Sequence, residues 1–219
     1  MTKIFTEIEK FKKWAEAYSD IYQDERGGEW ECDYSDWPII WTEFEAFLNE
    51  SHYTNWTDEE INNLLYIIVR DNECNSIIEL LSEKTTILEF IAKEGLSFNS
   101  HDTKWQIVEM LYKLDNKSEA EKLLEQYIKQ NIEYVSRMAI KSSGLLKSSL
   151  TEKYCEQAWN WNQDDLMSEY QRMMVLNVLF GYESPLTPKY IDLVKEDGRE
   201  FLVRQAINIE NEIKAGNNV

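Results

Sequence analysis

The stretch YQRMMVLNVLFGY, residues 170–182, has almost no polar side when it is drawn as a helix. Seven of its residues are large and apolar, namely Met173, Met174, Val175, Leu176, Val178, Leu179 and Phe180. A helix that is apolar around nearly its whole circumference is buried on most sides. The stretch therefore predicts a helix in the middle of a layer, with other helices before and after it in the chain.

Helical spacing extends from this stretch to both ends of the chain. Apolar residues recur at intervals of three and four, which is the pattern of an amphipathic helix. Examples are Ile4, Ile8, Phe11 and Ala15; Ile40, Phe44, Phe47 and Leu48; Ile61, Leu64, Leu65 and Ile68; and Leu202, Ala206, Ile209 and Ile213. Only 7 Gly and 3 Pro occur in 219 residues, too few for long β-meanders. We predict an all-α protein of about ten helices.

Helix start signals agree with these apolar stripes. Four pairs have the spacing of a capping box, namely Thr57 with Glu60, Ser76 with Glu79, Thr86 with Glu89, and Ser118 with Glu121. Pro38 suits the first turn of the helix that contains Ile40 and Phe44. We predict a single all-helical domain, residues 1–219, with an acidic, aromatic-rich part over residues 1–56 and helical repeats over residues 57–219.

A weak repeat underlies the second half of the chain. Basic residues precede apolar runs at spacings of 33, 35 and 32 residues, namely Lys104, Arg137, Arg172 and Arg204. Each interval holds two predicted helices. A period of about 30–40 residues with two helices per unit is typical of α-solenoids.

Residues 101–215 resemble the HEAT-like repeat family in two motifs. The motifs are YVSRMAIKSSGLL, residues 134–146, and YQRMMVLNVLFGY, residues 170–182. The resemblance implies an α-α superhelix of stacked antiparallel helix pairs with a concave binding surface. It implies no particular chemistry.

The net charge of −18 indicates the kind of partner the chain prefers. Residues 16–60 hold 14 acids and one base, Arg26, so this region alone carries −13. Such a surface repels phosphate backbones and anionic membranes and attracts basic proteins. The 3 cysteines are far apart and form neither a disulfide framework nor a zinc pattern. No signal peptide or membrane-spanning run is evident, so we expect a cytoplasmic protein.

The stretch DERGGEWECDYSDWPIIW, residues 24–41, places 3 tryptophans and a tyrosine among 6 carboxylates. Its rings at positions 30, 34 and 37 lack a helical period, so they either plug the core or are presented to a basic partner. Carboxylates without bases cost several kcal/mol each when buried, so we expect the acids to stay in water and at least one ring to stay near the surface. The predicted partner-binding residues are Glu29, Trp30, Glu31, Asp33, Tyr34, Asp36 and Trp37.

No catalytic or metal-binding motif accompanies this segment. The only histidines, His52 and His101, are far apart and lie outside any metal-ligand motif. Phosphate-binding loops and nucleophile elbows are absent from the sequence. We therefore predict a protein that is not an enzyme, with no catalytic residues, no metal and no cofactor.

The resulting hypothesis is a non-catalytic binding module for a basic protein, and immunity or antitoxin-type inhibitors are a class that fits it. The alternative is a HEAT-like nucleic-acid repair protein of the DNA glycosylase type, suggested by WNWNQDD, residues 159–165. That alternative requires the four repeated bases to converge on a groove near Trp105, Trp159 and Asp164; otherwise they pair with acids between repeats. A structural scaffold is the third option. Nucleic-acid binding is disfavoured by the charge, and no oligomeric state is predicted.

Overall fold

The computed structural model describes residues 2–19, 30–98, 101–161 and 166–216. Those residues form twelve α-helices and three short 3-10 turns, with no β-strand among them. The all-α prediction is thus confirmed. The expected number of about ten helices is too low even for the described part, since helices as short as Ser76–Ser82 leave little apolar period to detect.

The chain divides into two compact units, unit 1 over residues 1–123 and unit 2 over residues 124–219. The helices of unit 1 are α1 (Lys3–Ser19), α2 (Trp37–Glu50), α3 (Asp58–Arg70), α4 (Ser76–Ser82), α5 (Thr85–Gly95) and α6 (His101–Met110). Helix α7 (Lys117–Ile128) contains the boundary. Those of unit 2 are α8 (Glu133–Leu146), α9 (Thr151–Trp159), α10 (Leu166–Gly181), α11 (Thr187–Asp197) and α12 (Glu200–Gly216). One domain over residues 1–219, with parts at 1–56 and 57–219, stays a prediction.

Unit 1 is held together by the apolar stripes read from the sequence. Helix α1 packs against α2 and α3, and α2 also packs against α4. Helix α6 packs against α3, α4 and α5. Phe11 of α1, Ile40 and Phe44 of α2 and Leu64 of α3 are fully buried. Each such side chain contributes about 1.5–3 kcal/mol relative to an exposed one.

Helix α10 is the centre of unit 2. It packs against α8, α9, α11 and α12, so other helices both precede and follow it. Val175, Leu176 and Leu179 have no exposed surface, and Met173, Met174 and Phe180 pack at the edge of the same core. The prediction made from residues 170–182 is confirmed.

Only one of the four predicted capping boxes forms. At the start of α3, Thr57 Oγ1 accepts a 3.2 Å hydrogen bond from Glu60 N, and Glu60 Oε2 accepts a 2.8 Å hydrogen bond from Thr57 N. In the other three cases the helix already includes the predicted capping residue. At α4 a more distant group takes over, since Ile77 N donates to Asp71 Oδ2 at 2.6 Å.

Within the ranges given above, no helix combines the length and the apolar composition that crossing a bilayer requires.

Candidate functional site

Two of the three rings predicted to bind a partner are buried in unit 1. Tyr34 and Trp37 are 7% and 6% exposed. Both pack against Phe11 of α1, with ring centroids 5.0 Å from it in each case. Trp37 Nε1 also donates a 2.7 Å hydrogen bond to the backbone oxygen of Glu31. Glu29 and the side chain of Trp30 lie outside the described residues. For the two rings that are described, core packing accounts for their position.

The acids of the segment differ from one another in exposure. Asp33 is exposed and Asp36 is half-buried, as expected. Glu31 is buried, and its Oε1 forms a 2.9 Å ion pair with Nη1 of Arg70, at the end of α3. The expectation that the acids stay in water therefore does not hold for Glu31, because α3 supplies the positive charge that the local sequence lacks.

Two open clefts meet at Pro38 and Trp41 of α2, and we call them the Trp41 clefts. The first has a volume of about 360 Å³, and its lining includes Tyr34, Trp37, Arg70, Asp71, Glu73 and Cys74. The second has a volume of about 430 Å³ and lies between α2 and α4. Its lining includes Thr42, Glu45, Ser76, Glu79, Leu80 and Glu83. Trp41 is half-buried and borders both clefts.

The lining of the second cleft is negatively charged. Glu45, Glu79 and Glu83 are exposed, and none of the described residues that line this cleft is basic. The basic residue of the first cleft, Arg70, is paired with Glu31. Clefts lined by charges of one sign concentrate ligands of the opposite sign. The second cleft is therefore suited to cations.

Asp71 holds Trp41 in place between the clefts. Its carboxylate is 3% exposed, and Oδ1 accepts a 3.2 Å hydrogen bond from Trp41 Nε1. Burial raises the pKa of Asp71 to about 6, although the hydrogen bonds from Ile77 and Trp41 act in the opposite direction. Trp41 also stacks on Trp37, with ring centroids 6.1 Å apart and an interplanar angle of 17°. The indole is thus fixed before any ligand arrives.

Covalent chemistry is disfavoured in the first cleft. Burial, and then the negative charges of Asp71 and Glu73, raise the pKa of the Cys74 thiol above its usual range. A thiol held in its protonated form is a poor nucleophile. His52 directly precedes the 3-10 turn Tyr53–Asn55, and its Nδ1 lies 2.8 Å from Thr54 Oγ1. Among the described residues no three His, Cys, Asp or Glu side chains are grouped to hold a metal.

Two of the four repeated bases are in ion pairs within unit 2. Arg172 pairs with Asp197, and its Nε donates a 3.3 Å hydrogen bond to the backbone oxygen of Trp159. Arg137 Nε lies 3.1 Å from Glu133 Oε1. Arg172 thus pairs with an acid of the next helix, as one of the two predicted roles requires, whereas Arg137 pairs with an acid of its own helix. Asp164, the acid required by the glycosylase alternative, lies outside the described residues.

Two of the repeated arginines stack on an aromatic residue of their own helix. The guanidinium of Arg137 lies 4.5 Å from the ring centroid of Tyr134, and that of Arg204 lies 5.0 Å from the ring centroid of Phe201. Both pairs are three residues apart, which places them on the same side of a helix. Lys104, in unit 1, is half-buried, and burial lowers its pKa.

Sequence reasoning missed Trp41 and the glutamates of the second cleft. The sequence places Trp41 beside Ile40 in the apolar stripe of α2, whereas its side chain is only half-buried. The sequence places Glu79 in a capping box with Ser76, whereas in the structure it lines the cleft from α4. The available signal was an indole four residues after Trp37, on a helix that also carries Glu43, Glu45 and Glu50.

Comparison of the chain with protein-family models, with curated proteins and with solved structures finds no match. The function proposed below is drawn from the residues and their geometry.

Proposed function

We propose that the protein is a non-catalytic binding module whose Trp41 clefts receive Lys or Arg side chains of a basic protein partner. The observation that carries this proposal is the half-buried indole of Trp41, which borders two clefts and has Glu45, Glu79 and Glu83 around the second. Tyr34 and Trp37 contribute the wall of the first cleft. Glu29, Trp30, Glu31, Asp33 and Asp36 remain proposed members of the same binding region.

The energetics favour a cationic ligand at this place. A Lys or Arg over an indole gains about 0.5–2 kcal/mol, depending on how far it is desolvated. The neighbouring carboxylates add a favourable Coulomb interaction at short range. The net charge of −18 raises the rate of encounter with a basic protein. Aromatic anchors surrounded by a polar rim are also common at interface hot spots.

An inhibitor of the immunity or antitoxin type, acting in the cytoplasm, is the class that we propose for such a binder. Acidic inhibitors of basic enzymes use charge complementarity in this way. The DNA glycosylase alternative loses support from the pairing of Arg137 with Glu133 and of Arg172 with Asp197. A structural scaffold has no specific observation in its favour.

We also propose that the helices continue as a HEAT-like superhelix of antiparallel pairs. Support comes from unit 2, where each helix from α8 to α12 packs against the next one along the chain. Alternate helices pack as well, α8 against α10 and α10 against α12. Contacts of both kinds are what stacked helix pairs require.

A charge-matched comparison tests the proposed binding site. The variant Glu45→Gln, Glu79→Gln, Glu83→Gln neutralises the second cleft, and the control Glu156→Gln, Asp192→Asn, Glu196→Gln removes the same charge from exposed positions of unit 2. The probe is a short fluorescent Lys/Arg peptide, titrated by anisotropy at low salt. We expect the cleft variant to bind about tenfold more weakly and the control to bind nearly as the wild type does.

An equal loss of affinity in both variants would show that the peptide responds to net charge alone. The Trp41 clefts would then not be the binding site. Thermal unfolding of each variant checks that the fold is retained.

A further inference from the structure

Exposed apolar side chains are concentrated in unit 2. Among the described residues, six of the seven large hydrophobic side chains that stay exposed belong to it, namely Tyr134, Leu145, Met167, Tyr170, Phe201 and Ile207. Single exposed apolar residues are normal on any protein. Leu145 differs because it is 53% exposed and borders an open groove.

This groove lies between α8 and α10 and has a volume of about 280 Å³. Its lining includes Lys141, Gly144, Leu145, Met174, Val178 and Gly181, and we call it the Gly181 groove. Most of these side chains are apolar, which suits the burial of an apolar ligand group.

The two glycines of the groove differ in the space around them. A Cβ on Gly144 would lie 2.8 Å from Cγ1 of Val178, so the close approach of α8 and α10 requires a glycine. A Cβ on Gly181 would meet nothing within 4 Å. Packing within the protein therefore does not require Gly181.

The end of α10 does not require Gly181 either. The left-handed residue that ends this helix is Glu183, with φ of 58°, and Ser184 N donates to Leu179 O at 2.9 Å as in a Schellman motif. Gly181 occupies a helical position, where alanine is favoured by about 1 kcal/mol. What the missing side chain does is keep the groove open.

The charge of the groove separates it from the rest of the chain. Lys141 is the charged member of its described lining, and no acid belongs to that lining, although the chain holds 41 acids and 23 bases. Arg137, one turn before Lys141 on α8, is already paired with Glu133. Glu183 is exposed just beyond the end of α10. A positive side chain beside an apolar groove is complementary to a carboxylate next to an apolar group.

We propose that the Gly181 groove is a docking site for a partner segment that places one apolar side chain between α8 and α10 and a carboxylate beside Lys141. A second copy of this chain is a poorer occupant, because two chains of net charge −18 repel each other. This surface is separate from the Trp41 clefts and takes a ligand of the opposite charge.

Peptide selection with counter-selection tests the proposal. A displayed library of short random peptides is selected on the wild-type protein and depleted on the variant Gly181→Trp, whose indole fills the groove. We expect the surviving peptides to carry Leu, Ile, Met or Phe beside Asp or Glu. Their affinity should fall about tenfold or more in the variant Lys141→Glu and stay nearly unchanged in the charge-matched control Lys153→Glu, at an exposed position of α9 outside the groove.

Three results would overturn the proposal. The first is that no peptide distinguishes the wild type from Gly181→Trp, and the second is that the peptides that do so are basic. The third is that the wild type is a dimer that Gly181→Trp converts to a monomer, which would make a second copy the occupant. Thermal unfolding of Gly181→Trp checks its fold, and Lys141→Glu tests the same groove without added bulk. Basic peptides that bind the wild type and Gly181→Trp alike belong to the Trp41 clefts, so failure of this proposal is distinct from failure of the proposed function.

Discussion

Asp71 is the residue whose ionisation is most directly linked to the Trp41 clefts. Burial raises its pKa from 3.8 to about 6, so the folded protein binds this proton more tightly than the unfolded chain does. The stability that Asp71 contributes is therefore fully present below about pH 4 and falls as the pH rises to about 6. Above that range both states are ionised, and the cost of the buried charge is constant.

We predict that replacement of Asp71 by Asn removes this pH dependence. The free energy of unfolding of the wild type, relative to Asp71→Asn, should fall on the order of 2 kcal/mol between about pH 4 and pH 7. Urea unfolding of both proteins across this range measures the difference. Basic neighbours lower the pKa values of Glu119, Glu125 and Asp197, so these residues make stability rise with pH. Both proteins contain them, so their contributions cancel in the comparison.

Parallel pH profiles for the two proteins would contradict the prediction. A second readout is the Trp41 indole N–H resonance, because this group donates to Asp71. It should titrate with a midpoint near the pKa of Asp71, about 6.

Contacts between residues close in sequence could be predicted, whereas contacts between distant residues could not. The Thr57–Glu60 capping box was predicted because both partners lie within one turn. The Glu31–Arg70 ion pair was not, because 39 positions separate the two residues and only the tertiary fold brings them together. The burial of Glu31, and with it the position of the Trp37 indole that donates to the Glu31 backbone, depends on that distant contact.

At the level of elements, α8 and α10 are held close by Gly144. Val178 is buried and β-branched, so it cannot easily turn away from a new methyl group. Gly181, one turn beyond Val178 on α10, faces no such neighbour. The same substitution should therefore have opposite effects at the two glycines.

We predict that Gly144→Ala destabilises the protein and that Gly181→Ala stabilises it. Overpacking costs about 1–3 kcal/mol, which exceeds the gain in helix propensity of about 1 kcal/mol at Gly144. At Gly181 only the gain in propensity applies, so stability should rise by up to about 1 kcal/mol. Urea unfolding of the two variants provides the measurement. Stabilisation of both variants would mean that the helix contact at Gly144 can relax, and destabilisation of both would contradict the argument made for Gly181.

The helices themselves were the most predictable level of the structure. Residues 170–182 predicted a central buried helix, and α10 is one, because its apolar circumference has no alternative to burial. The Trp41 clefts were not predictable in the same way. They depend on where α4 packs against α2, and the seven residues of α4 give no period from which this could be read.

At the level of the whole molecule, the net charge of −18 favours a basic protein over nucleic acid as the proposed partner. Duplex DNA is bound through counterion release, which requires several basic side chains directed at phosphates. Arg137 and Arg172 already have acidic partners, and Lys104 is half-buried. A basic protein meets no such obstacle.

We predict that the protein does not retard a short DNA duplex in a gel-shift experiment at low salt, where even weak electrostatic binding is visible. The same experiment with a basic DNA-binding protein provides the positive control. Retardation that weakens steeply with added salt would revive the glycosylase alternative. Loss of that retardation in the variant Arg204→Gln would then identify one of the bases responsible.

The stacked indoles of Trp37 and Trp41 have an optical consequence. Their ring centroids are 6.1 Å apart and their planes differ by 17°, close enough for the electronic transitions of the two chromophores to couple. Coupled indoles give a pair of circular dichroism bands of opposite sign that depends on their mutual angle. Because Trp41 borders both clefts, occupation of either one alters the environment of half of this coupled pair. The stacked indoles are therefore an intrinsic probe, and ligand binding to the clefts can be followed by ultraviolet circular dichroism without an attached dye.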